Sequence, residues 1–236
     1  MTPPRVLAWD GCINVRDLGG LPTEDGAETR FGVIIRADSI RGLTPKGWEA
    51  LTSFGVRRAI DLRADAEVAA DPPGAAPIPV VRIPIVPWET TIGHDWPSMR
   101  EGYLVVLEHF RDRFGRVVDE LAAGEGPVVV HCMGGRDRTG LAVALVLRLA
   151  GVPPAAIAED HAESDGNWAP FLDQWYATAE TETELERRRR IAAPAGIAMV
   201  DVLEELESRY GGASEYLVAA GADPAAIREV QHRLRP

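Results

Sequence analysis

The chain has 236 residues, 46% of them hydrophobic and 26% charged, which is ordinary for a soluble globular protein and enough for one domain with a sizeable core. Its formal net charge of −11 argues against nonspecific nucleic-acid binding, which needs basic surface to displace counterions, although a pocket with a locally positive potential stays compatible with it. Two cysteines make no disulfide framework, Met1 to Leu21 does not read as a secretory signal, and the longest apolar run, Leu141 to Leu147, is far short of the ~20 residues a membrane helix takes.

Residues 5–32 are turn-rich, with Asp10-Gly11, Gly19-Gly20 and Asp25-Gly26 as turn signals. Val33-Ile34-Ile35 reads as a buried strand. Thr44-Pro45 opens a helix that ends before Gly55. Val56 to Leu62 reads as a second strand, leading into Asp61-Leu62-Arg63. Prolines at 72, 73, 77 and 79 mark a loop, and Val80 to Val86 is another strand candidate. A loop from Pro87 to Pro97 holds Trp88, His94 and Trp96, which could line a pocket or serve as packing anchors. Ser98 to Ala123 carries helical spacing at Leu104, Leu107, Phe110, Phe114, Val117, Val118 and Leu121. Val128-Val129-Val130 reads as a central strand, His131 to Gly140 as a polar loop, and Leu141 to Ala150 as an apolar helix. Helices are expected over 153–163, 168–190, 194–210, 212–220 and 223–234. The order implies an α/β fold: a mostly parallel central sheet flanked by helices, with a C-terminal helical extension over 153–236, all in one domain.

The chemistry concentrates in Val128-Val129-Val130-His131-Cys132-Met133-Gly134-Gly135-Arg136-Asp137-Arg138-Thr139-Gly140. A strand followed by a loop and a helix lets consecutive amide N–H groups form an anion cradle, with the positive helix N-terminus behind it. Arg138 can bind two phosphate oxygens at once, and the same field favours the thiolate of Cys132, the form that attacks. Gly134 and Gly135 would let backbone approach a ligand, and Thr139 can hydrogen-bond the sulfur. Met133, Gly134, Gly135, Arg136 and Thr139 are therefore candidate phosphate-binding residues.

This stretch resembles the loop of the protein tyrosine phosphatase superfamily. In its narrower form, His-Cys-x-x-Gly-(Lys/Arg)-Asp-Arg-Thr-Gly, it is similar to a family of bacterial tyrosine phosphatases that also accept phosphoserine, phosphothreonine and phosphoinositides. Asn14 to Gly20, Ile35 to Asp38 and Asp61-Leu62-Arg63 fit the same family. The resemblance implies the cysteine phosphatase fold, hydrolysis of phosphate monoesters through a phosphocysteine on Cys132, Arg138 as phosphate clamp, and neither a metal nor another cofactor. It makes Asp137 the preferred general acid and leaves Asp61 as rival. It also implies a phosphorylated protein or small phosphate ester as partner, and a helical lid around 165–192 with Asp165 to Trp168 as its hinge.

Other residues keep two readings. Asn14 and Arg16 form either a satisfied turn or pocket contacts; Arg63 is either an ion-pair residue or a pocket wall. His131 reads as a structural hydrogen-bonder. Cys12 reads as inert, with a protective disulfide to Cys132 as the alternative. Arg187 to Arg190, after the acidic run Glu180 to Glu186, reads as a solvated helix with internal ion pairs, or as a lid helix over the active site or a contact with anionic membrane lipid. The rival functions are a small-metabolite phosphatase and a catalytically silent phosphate-binding module; loss of Cys132 or Arg138 would mark the latter, and both are present. A cytoplasmic location is the default, with secretion lacking a cleavable signal as the alternative.

Overall fold

A computed structural model describes residues 3–72, 76–85 and 98–235. Among them a five-stranded sheet has the order β1-β2-β5-β3-β4, with β1 Arg16–Asp17, β2 Ile34–Ala37, β3 Arg58–Asp61, β4 Val80–Arg82 and β5 Val128–His131. Only the β1–β2 pair is antiparallel; β2, β5, β3 and β4 run parallel. β5 sits in the middle, with Ala37 and Asp61 both in register with His131, so β2 and β3 end level with the start of the Cys132 loop. Loops beyond the carboxyl ends of parallel strands are where such sheets place ligands.

The period of two sorts the sheet's side chains onto two faces. Val128, Val130, Cys132, Ile34, Ile60 and Leu62 join the larger core, on the side that carries most of the helices. Val129, Ile35, Ala37 and Ala59 face a smaller one with Trp9, Val15 and Leu51. That smaller layer is closed by α1, Pro45–Phe54, which begins as its residues dictate: the Thr44 side chain accepts from Gly47 N–H, Pro45 stands at the first position, and Gly55 ends the helix in the left-handed region.

Helices then follow as α2 (Asp65–Ala70), α3 (Met99–His109), α4 (Arg111–Ala122), α5 (Asp137–Leu149), α6 (Pro154–Ala177), α7 (Glu182–Ile191), α8 (Gly196–Tyr210), α9 (Ala213–Ala219) and α10 (Pro224–Leu234). The expected fold class holds. Three expectations need correction. The helix over 98–123 is two helices, broken at Phe110. α5 begins at Asp137 rather than Leu141, because Asp137, Arg138 and Thr139 occupy the first turn, where acidic and hydroxyl residues are favoured. Asp165 to Trp168 lie inside the continuous α6 and form no hinge there; the chain leaves the helix only at Thr178. The loop with Trp88, His94 and Trp96 lies outside the described residues.

Candidate active site

The loop between β5 and α5 is fastened from outside, carbonyl by carbonyl. The Met133 carbonyl accepts from Ser39 N–H at 2.9 Å. The Gly134 carbonyl accepts from Asn14 Nδ2 at 2.9 Å and from Trp168 Nε1 at 2.8 Å. The Gly135 carbonyl accepts from Arg36 Nη2 at 2.8 Å, and the Arg136 carbonyl from the same Nη2 at 3.4 Å as well as from Gly140 N–H at 2.8 Å, the first bond of α5 itself. In a planar trans peptide the C=O of one residue and the N–H of the next point in opposite directions, and every described peptide here is trans. Pinning these carbonyls outward turns the N–H groups of Gly134, Gly135, Arg136 and Asp137 away from the pins, and none of them has an acceptor among the described residues. The result is a concavity of donors at the N-terminus of α5, the arrangement that binds anions.

Gly135 has a reason of its own. Its φ is +65°, and a Cβ there would lie 2.3 Å from the Ala37 carbonyl oxygen at the end of β2. Gly134 instead faces Trp168, whose ring would stand 3.4 Å from an added Cβ. Gly135 is thus required by the neighbouring end of β2, whereas a Cβ at Gly134 would make only ordinary contact with Trp168.

Cys132 closes β5 and is 2% exposed. Both cysteines are free in the structure. Cys12 points its thiol at the Ser39 carbonyl, 3.6 Å away, and burial together with Asp38 pushes it well above the usual thiol range. The Arg138 guanidinium grips Glu67 of α2 through two bonds, Nη1–Oε2 at 2.5 Å and Nη2–Oε1 at 2.8 Å, a paired geometry that fixes the plane of the group. Thr139 is buried, and its Oγ1 has no hydrogen-bond partner among the described residues, so the expected bond to the Cys132 sulfur is not made.

A cavity of about 420 Å³ opens beside this loop. Met133, Gly134, Asp137 and Arg138 form its floor, Glu67 one side, and Trp168, Phe171, Leu172 and Trp175 of α6 an apolar wall. Arg136 lines it too, but its charge is taken by α6 and by the end of α7. Nε donates to Asp165 at 2.6 Å, while Nη1 and Nη2 donate to the carbonyls of Ile191 and Ala193. The sequence counts Arg136 among the candidate phosphate-binding residues, and here its side chain is held by protein groups instead.

Asp137 is among the residues that line the cavity, and its Oδ1 accepts from Tyr103 Oη at 2.5 Å. Asp61 does not line the cavity. Both its oxygens are held by Arg63 at 2.9–3.1 Å; burial pushes its carboxyl up, but Arg63 and His131 outweigh this and keep it below the usual range. Arg63 is accordingly an ion-pair residue, shared with Asp71. His131 is fully buried against the Cys132 carbonyl, and burial lowers its proton affinity. Asn14 and Arg16 stand behind the loop. Arg16 donates to Asn14 Oδ1 at 2.7 Å and to Asp160 at 3.0 Å, and Asn14 reaches Gly134. On α7, Arg188 pairs with Glu184 and lies over the Trp175 ring, matching the expected ion-paired helix.

Glu67, Tyr103, Asp160 and His161 are the participants that sequence reasoning missed. Glu67, Tyr103 and His161 belong to the site through contacts between helices, and Asp160 through Arg16 and Arg36 on the first two strands.

A family model described as "Tyrosine phosphatase family" matches residues 7–236. The chain belongs to the tyrosine phosphatase family. It is therefore a phosphatase, and no helix among the described residues is long and apolar enough to cross a membrane. It is 30% identical over 224 residues to a tyrosine-protein phosphatase of Nostoc commune, covering 85% of this chain and 73% of that one. It is 30% identical over 269 residues to the triple specificity protein phosphatase PtpB of Mycobacterium tuberculosis, covering 94% and 96%. A crystal structure of P. aeruginosa TpbA aligns over 85% of this phosphatase and 86% of that chain, at 18% identity and a TM-score of 0.32.

Proposed function

We propose that this phosphatase hydrolyses phosphate monoesters through a phosphocysteine on Cys132. The observation that supports the reading is the loop between Cys132 and Arg138, whose Met133, Gly134 and Gly135 carbonyls are held by Ser39, Asn14, Trp168 and Arg36, so that the amides following them are turned away from these pins. Sγ attacks phosphorus; the S–P bond forms as the P–O bond to the leaving group breaks, and Asp137 gives its proton to the departing oxygen. Water then attacks phosphorus, the Asp137 carboxylate takes the water's proton, and the S–P bond breaks to release phosphate and thiolate. The loop amides and Arg138 stabilise the equatorial oxygens in both steps. Asp137 is preferred over Asp61 as acid because it lines the cavity, while both oxygens of Asp61 are held by Arg63.

Phosphotyrosine proteins are the proposed main substrates, with phosphoserine, phosphothreonine or phosphoinositides as further ones. An apolar wall of Trp168, Phe171, Leu172 and Trp175 suits an aryl leaving group. Residues 165–192 are the proposed lid: Trp168 donates to the Gly134 carbonyl and Arg136 to the Ile191 carbonyl, contacts that tie this segment to the loop after Cys132.

The test is hydrolysis of an aryl phosphate in the presence of EDTA and a reducing agent, by wild type and Cys132→Ser. The expected result is turnover lost only in the variant, which still binds vanadate. Equal turnover by both proteins overturns the assignment. A panel of phosphopeptides, phosphoinositides and nucleotides then separates protein, lipid and metabolite substrates.

A further inference from the structure

Three helices meet on the Asp137 carboxylate. Asp137 opens α5, Tyr103 comes from α3 and His161 from α6. Tyr103 is completely buried; its hydroxyl lies 2.5 Å from Asp137 Oδ1 and 3.1 Å from His161 Nε2, and its ring meets the imidazole edge-on with centroids 5.7 Å apart. The imidazole is pressed against α5 where the chain has no side chain, since a Cβ at Gly140 would stand 2.5 Å from its Cε1 and Nδ1.

The proton positions follow from the partners. Burial and the neighbouring Asp137 push the Tyr103 hydroxyl well above its usual range, so it keeps its proton. That proton goes to Asp137 Oδ1, because a carboxylate only accepts. The hydroxyl oxygen must then accept from His161, which fixes the Nε2–H tautomer. This agrees with Nδ1 of His161, buried and without a hydrogen-bond partner among the described residues, being the bare nitrogen. Burial and Arg36 push His161 down to about 3, so it is neutral at physiological pH. Arg136 Nη1 lies 3.7 Å from Asp137 Oδ1 and is itself anchored to Asp165.

We infer that Tyr103, backed by His161, is a positioning residue for the general acid, holding Asp137 Oδ1 so that Oδ2 is the oxygen that gives and takes the proton. This rests on the reading of Asp137 as the acid. When Oδ2 delivers its proton to the leaving oxygen, the carboxylate that forms keeps the Tyr103 hydrogen bond, and a bond to an ionised acceptor is stronger than one to a neutral acceptor. The contact therefore strengthens as the P–O bond breaks, which is the condition for lowering the barrier. It matters most where the leaving group most needs a proton, on alkyl phosphates rather than aryl phosphates bearing electron-withdrawing groups.

The test compares kcat and KM for p-nitrophenyl phosphate and a simple alkyl phosphate in wild type, Tyr103→Phe, Asp137→Asn and the double variant. Tyr103→Phe is expected to raise the aryl-to-alkyl ratio of kcat about tenfold, with KM changed less than about twofold. The double variant should discriminate no more than Asp137→Asn alone. A second pair guards against misfolding of Tyr103→Phe. His161→Gln, which keeps an N–H donor, should stay near the wild-type ratio, and His161→Leu should raise it. A Tyr103→Phe protein that slows both substrates equally, or neither, overturns the positioning role while leaving the acid in place. An Asp137→Asn protein without discrimination overturns the acid assignment itself, and the role of Tyr103 falls with it.

Discussion

Replacing Asp160 by asparagine should cost this phosphatase about 3–5 kcal/mol of stability, because it removes the charge on which three arginines converge. The Asp160 carboxylate is 1% exposed and takes Arg16 Nε at 3.0 Å, Arg36 Nη1 at 2.5 Å and Arg5. Arg16 and Arg36 are as buried as their partner, so asparagine would leave Arg36 without a counter-charge and Arg16 with only the partly exposed Glu163, 3.4 Å away, in a low-dielectric setting. Burial alone would raise the Asp160 carboxyl, but Arg36, Arg16 and Arg5 outweigh it and hold it far below the usual range. A carboxyl lowered in the folded state contributes stability above its unfolded value, near ~3.9, and loses it as pH falls through the folded value. The deficit of Asp160→Asn should therefore be full from pH 5 upward. Urea unfolding at pH 7 measures it directly, and a drop in melting temperature of roughly 10 °C should accompany it. Arg5→Ala is the control: Arg5 is 22% exposed and sits at the rim of the cluster, and its removal should cost no more than ~1 kcal/mol. A loss below ~1 kcal/mol for Asp160→Asn would refute the reasoning, since Arg16 and Arg36 would then have to be solvated.

Two further outcomes are expected. Trp168→Ala removes both the N–H that pins Gly134 and part of the apolar wall, so iodoacetamide should alkylate Cys132 about tenfold faster, read by mass spectrometry of the Cys132 peptide; an unchanged rate rejects residues 165–192 as a cover over the thiol. His161 is held down to about 3 against its usual 6.5, so the unfolded chain binds the extra proton between these values and stability rises with pH across that window, by about 1.4 kcal/mol per pH unit. His161→Gln should flatten that slope in urea titrations between pH 4.5 and 6.5, and an unaltered slope would place the titrating group elsewhere.

The parts of the fold set by neighbours in the chain were legible in the sequence. Thr44, Pro45 and Gly55 bound α1 by local capping, and Val128 to Val130 announced the central strand by β-branching. The strand, loop and helix that carry Cys132 and Arg138 were legible for the same reason, since they are contiguous in the chain. The start of α5 was misread because Asp137 and Thr139 look like loop residues until their place in a helical first turn is known. Residues 65–70 gave no signal, because six residues are too short for periodicity to show. The partners of the loop were hidden by distance: Glu67 lies 71 positions from Arg138, and Tyr103 lies 58 from His161. Nothing in a single sequence pairs residues that meet only when helices pack.

The fastening of the loop also bears on when the protein becomes active as it folds. Asn14 and Gly134 are separated by 120 positions, Arg36 and Gly135 by 99, and Trp168 follows Gly134 by 34. The motif residues are synthesised together, but their peptide dipoles can be aimed only after β2 has zipped onto β5 and α6 has docked across them. A partly folded chain that had released its N-terminal hairpin would retain every residue of the motif and lose the electric field that makes them useful. Once the pins are in, the peptide dipoles of the loop are oriented by the fold itself, which is the preorganisation that electrostatic stabilisation relies on.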